Sequence, residues 1–156
     1  MKTALFLVLL GLVGCGGQVA EQRRTLVITV DGVSETDALA ACNVWAEFVD
    51  CTTAGEPNTR VAAGPSNAAD GQDVYAVTTL TNITIDTVWL ARDGVPLTFA
   101  LAHEFGHRLG IIDHIPGPAL MARDACGTWA RAELSEGDRA AARAALAPLG
   151  DVAVLR

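Results

Sequence analysis

Basic residues are scarce. Eleven Lys and Arg stand against eighteen Asp and Glu in 156 residues, a formal net charge of -7. A nucleic-acid binder presents a basic face, so the balance speaks against that partner class. Lys2 is the only lysine, and every other basic residue is arginine. No apolar run reaches the roughly 20 residues that span a bilayer. No Cys-x-x-Cys occurs, which removes a redox motif and a zinc knuckle together. No internal repeat is visible. What is present is an ordinary globular composition, 51% hydrophobic and 19% charged, which excludes a disordered chain. The length suits one domain.

Met1-Lys2-Thr3 makes a short positive start before an apolar run from Ala4 to Val13. Ten residues at about 1.5 Å each cover roughly 15 Å, half a bilayer core and the size of a signal-peptide core. Leu12-Val13-Gly14-Cys15 resembles the bacterial lipobox, which is cleaved before its cysteine. The resemblance implies that Cys15 becomes a lipidated N-terminus bearing diacylglycerol and an N-acyl chain, a stable membrane anchor. An ordinary secretory signal with an incidental Cys15 is the alternative. Gly16 and Gly17 follow, with no aspartate to signal inner-membrane retention, so the outer membrane is expected where two membranes exist. In an oxidising compartment Cys42, Cys51 and Cys126 should yield one disulfide and one free thiol. Three pairings are open; a short turn after a helix inclines the choice towards Cys42–Cys51.

Residues 16–24 read as a tether, and Thr25 to Val30 as a β-branched strand ending at Asp31-Gly32. Ser34 with Asp37 resembles a capping box. It opens a helix whose apolar face runs through Ala38, Ala41, Cys42, Trp45, Phe48 and Val49. Residues 52–73 are loop-rich, with a short strand expected at Arg60–Ala63. Asp70-Gly71-Gln72-Asp73 offers carboxylates to a cation but reads first as a surface turn, and no calcium requirement follows from it. Two more strands are expected at Val74–Leu80 and Ile83–Leu90, the second from its strict alternation. Arg92-Asp93-Gly94 is a turn, and Pro96 to Leu109 a helix stopped by Gly110. A last helix runs from Ser135 to about Leu146, capped by Ser135 with Asp138 in its first turn. The order defines an α+β domain.

The chemistry is concentrated in His103-Glu104-Phe105-Gly106-His107. Positions i and i+4 share a helical face, so both imidazoles reach one ion, while Glu104 stands to act on water as general base. Three protein ligands with one open position is the pattern of a catalytic zinc site. Gly110 follows at the helix end, Asp113 comes ten residues after His103, and Met121 eight after Asp113. This pattern resembles the metzincin clan of zinc endopeptidases, H-E-x-x-H-x-x-G-x-x-(H or D) with a methionine turn. HEFGHRLG and Ala119-Leu120-Met121 are similar to the matrixins, and Leu134-Ser135-Glu136-Gly137-Asp138 to the start of their C-terminal helix. Aspartate followed by histidine is similar to the snapalysins.

The resemblance implies a metzincin-like zincin with one catalytic zinc on His103, His107 and Asp113. It also implies Glu104 as general base and acid and Met121 in a structural turn. A one-residue bulge at Ile111-Ile112 would deliver His114 instead of Asp113 as third ligand. No tyrosine follows Met121, and the matrixins' Pro-x-Tyr is replaced by Ala122 to Trp129, so Trp129 is either a pocket wall or a core residue. Nine residues between Cys15 and Thr25 are too few for an inhibitory prodomain.

These readings divide the chain into a signal peptide (1–14), tether (15–24), catalytic domain (25–150) and C-terminal tail (151–156). The expected function is a membrane-tethered, monomeric zinc endopeptidase acting on peptides or proteins outside the cytoplasm. A peptide is expected to pair with a free edge of the strand Ile83–Leu90. Two other classes stay open. One is a zinc-stabilised binding lipoprotein without turnover, against which the intact Glu104 speaks. The other is a structural envelope lipoprotein with a fortuitous motif, against which the joint Gly110 and Met121 spacing speaks.

Overall fold

The computed structural model describes residues 23–66, 74–122 and 133–147. The signal segment with Cys15, the Asp70–Asp73 stretch, Cys126 and Trp129 lie outside them. The described residues form an α+β fold, a five-stranded mixed sheet and four helices. Strand β1 (Arg24–Asp31) sends Leu26 and Ile28 inward at the two-residue period while Thr25 and Thr29 stay exposed. Helix α1 (Glu35–Asn43) starts at Ser34, whose Oγ accepts from Asp37 N at 3.4 Å. It is shorter than its apolar spacing predicts. Regular helix ends at Val44, and a turn through Trp45 and Phe48 swings the chain into β2 (Val49–Thr52). Val49 and Cys51 therefore belong to a strand where helical periodicity and a loop were expected. The turn brings Cys51 to Cys42, and the disulfide joins that pair.

Strand β3 (Thr59–Ala63) matches its expected place with one more residue. Strand β4 (Ala76–Thr78) is a short piece of the expected Val74–Leu80 strand. The expected strand Ile83–Leu90 is corrected. It splits into β5 (Asn82–Ile85) and helix α2 (Thr87–Asp93). Asp86 causes the split, because its side chain accepts from Val88 N and Trp89 N and caps a helix there. Gly94 ends α2 at φ 68°, a left-handed conformation glycine adopts without strain. Helix α3 (Leu97–Leu109) follows Pro96 and ends at Gly110, φ 106°. Helix α4 (Glu136–Leu146) is opened by a reciprocal capping box between Ser135 and Asp138.

The sheet order is β2-β1-β3-β5-β4, parallel throughout except for the antiparallel β5–β4 hairpin. β5 is thus interior, and the free edge expected for it belongs to β4. Leu26, Ile28, Val61, Ile83 and Ile85 from the sheet meet Ala38, Ala41, Leu101, Phe105 and Leu109 from α1 and α3 in one core. α3 lies against α1, β5 and β4, which sets Glu104 beside the edge strand. Among the described residues no helix is long and apolar enough to cross a membrane.

Candidate metal centre

α3 buries Leu101, Ala102, Phe105 and Leu109 and leaves His103 and His107 half-buried on another face. Its position is keyed from below. The indole of Trp45 donates from Nε1 to the carbonyl of Ala102 at 2.7 Å, in the interior. Met121 is fully buried and packs with Trp45 against Gly106. A Cβ at Gly106 would come 2.7 Å from Trp45 Cζ2 and nearer still to Met121 Sδ, so the helix there requires glycine.

The chain after Gly110 returns beneath α3. Ile115 N, next to His114, donates to Met121 O at 2.9 Å and closes the loop between them. Ring centroids then lie 4.9 Å apart for His103 and His107, 5.3 Å for His103 and His114, and 5.2 Å for His107 and His114. One ligand atom from each of the three falls within 4.8 Å of the others. Asp113 stands outside this group, exposed to solvent, although its spacing from His103 and Met121 matches the clan pattern. The bulge alternative is the one this geometry favours. Ile111 is buried and its carbonyl accepts from His107 Nδ1 at 2.7 Å, while Ile112 is 85% exposed. His114 is itself exposed, but its ring is the one the loop sets beside His103 and His107.

The donor set could hold a metal ion. His103 Nδ1 lies 2.8 Å from the carbonyl of Leu120. A carbonyl only accepts, so Nδ1 carries the proton on both helix histidines and their Nε2 lone pairs are available to a metal. Burial lowers the pKa of His103 despite the Leu120 contact, which favours the neutral form a metal requires.

Glu104 stands beside the three-histidine group and not within it. It is buried, and its Oε2 accepts from Thr78 Oγ1 at 2.6 Å. Burial raises its pKa; the Thr78 hydrogen bond, His107 and His114 each act to lower it. The two imidazoles therefore lie within electrostatic reach of the carboxylate. Thr78 went unnoticed in the sequence, since nothing local marks it. Only the β5–β4 hairpin brings it to α3.

No known family model matches the chain, and no curated protein is significantly similar to it.

Proposed function

We propose that this protein is a membrane-tethered zinc endopeptidase of the metzincin type. One observation carries the reading: three imidazoles converge beside a buried glutamate, with both helix imidazoles held in the metal-ligating tautomer by backbone carbonyls. Structural histidines on a packed helix have no need of that arrangement. His103, His107 and His114 would hold the ion, with Met121 under the site in the place of the clan's methionine turn. A bound zinc supplies Lewis acidity towards a scissile carbonyl and acidifies water to near neutrality.

The remaining work falls to this chain's own groups. Thr78 occupies Oε2 of Glu104, leaving Oε1 to take the proton of the attacking water and return it to the leaving amine. Among the described residues β4 pairs only with β5, so its outer edge can add a peptide strand. Thr78 ends that strand and bonds to Glu104, so a peptide paired there would run alongside the carboxylate. The lipobox at Leu12–Cys15 supplies the tether in this reading.

Zinc content and casein cleavage, measured on wild type and Glu104→Ala, test it. Cleavage by wild type alone, with equal zinc in both, is expected. Equal zinc with no cleavage by either would leave a zinc-stabilised binding protein.

A further inference from the structure

Asp138 is fully buried in the first turn of α4, yet among the described residues it has no cationic side chain as a hydrogen-bond partner. Its carboxylate accepts three backbone N–H groups instead. Oδ2 takes Ser135 N at 2.7 Å and Leu120 N at 3.0 Å, and Oδ1 takes Met121 N at 3.0 Å. A helix cap accounts for Ser135. It does not account for two contacts to a loop 17 and 18 residues earlier.

The Met121 N–H and the Leu120 C=O belong to one peptide group. That carbonyl is the acceptor for His103 Nδ1 at 2.8 Å. Asp138, a single amide and His103 are therefore joined in series: carboxylate to N–H, carbonyl to imidazole N–H. Amide resonance links the two ends. A carboxylate pulling on the N–H places more electron density on the carbonyl oxygen, and hydrogen bonds in such chains strengthen one another by roughly 10–30% each.

We infer that Asp138 is a positioning residue for the metal centre, acting through the Leu120–Met121 amide to hold His103 as the Nδ1–H tautomer. Metal-binding histidines commonly donate to a carboxylate directly; here one peptide group is interposed. The inference rests on the metal-centre reading above.

Asp138→Asn tests it, because the amide keeps the shape but cannot accept at both ends. Ser135→Ala is the control: it removes the hydroxyl that accepts Asp138 N at 3.1 Å while sparing the carboxylate. Zinc affinity is read by chelator competition, and the His103 tautomer by long-range nitrogen–proton NMR on metal-free protein. Asp138→Asn should weaken zinc about tenfold, the lower end of second-shell losses, and give His103 a mixed tautomer while His107 keeps its own. Ser135→Ala should lose stability with zinc affinity and tautomer unchanged. Equal zinc affinity and tautomer in Asp138→Asn and wild type would overturn the relay, as would equal zinc weakening in both variants.

Should Asp138→Asn fail to fold, the wild-type amides decide. Zinc loading should shift the Met121 amide proton more than that of Leu120, which shares the carboxylate but is not conjugated to the accepting carbonyl. Equal shifts would contradict the relay. Wild-type protein that holds no zinc would overturn the metal-centre reading instead, and the metal-free tautomer comparison would still decide the relay.

Discussion

Thr78 donates a 2.6 Å hydrogen bond to Oε2 of Glu104, joining the edge strand of the sheet to the buried carboxylate of the central helix. The two residues are 26 positions apart, and the hairpin β5–β4 alone makes them neighbours. If a peptide docks along β4, the strand that receives substrate also fixes the group that moves its proton.

Thr78→Val keeps the β-branched shape and removes the donor. A hydrogen bond to a charged group contributes about 1.5–3 kcal/mol, so kcat should fall roughly 10–100-fold with KM little changed. Thr78→Ser should restore most of the rate. A rise in KM at constant kcat would mean that Thr78 serves the peptide and not Glu104.

Gly106 makes room for Met121 and Trp45. Alanine is worth about 1 kcal/mol more than glycine inside a helix, but its methyl group would collide with two fully buried side chains. Gly106→Ala should therefore lower stability, by about 1–3 kcal/mol in urea denaturation. A stabilised variant would show that the floor of the site is loosely packed.

The Cys42–Cys51 bond closes a loop nine positions long, which by chain entropy stabilises the fold by about 2.7 kcal/mol. Cys42→Ala with Cys51→Ala should lose stability of that order in unfolding experiments. The loss should be absent when wild type is compared in its reduced form.

Asp93 is held far below the usual carboxylate range, at about 2, by hydrogen bonds from Arg92 and from Tyr75. A depressed pKa contributes stability above the unfolded value near 3.8 and loses it as pH falls through about 2. Asp93→Asn should thus be less stable than wild type near neutrality. The gap should close between about pH 4 and 2 in acid-unfolding curves. Tyr75 leads directly into β4, so this pairing also steadies the approach to Thr78.

Much of the α+β layout was legible because its signals are local. Ser34, Gly110 and Ser135 with Asp138 begin or end helices where their chemistry predicts, whereas Gly94, read as part of a turn, ends a helix that was not expected. Misreadings came where two periods overlapped. Ile83 to Leu90 alternates like a strand, but Asp86 offers its carboxylate to two helical N–H groups, and the cap prevailed over the alternation. Val49 fits the face of α1, yet pairs with Arg24 in β2.

His103, Glu104 and His107 could be read as a site because one helix turn brings them together. The third member depends on the path of a loop. Spacing from Gly110 selects Asp113, while the path of the loop sets the exposed His114 ring beside those of His103 and His107. Thr78 and the contacts of Asp138 to Leu120 and Met121 are tertiary and leave no sequence pattern.

The three-histidine centre is tested most directly by equilibrium zinc titration of wild type, His114→Ala and Asp113→Ala against a competing chelator. Wild type and Asp113→Ala should bind one zinc with closely similar affinity, and His114→Ala should lose at least the 10–100-fold that second-shell changes cost. Zinc retained by His114→Ala and lost by Asp113→Ala would contradict the site described above.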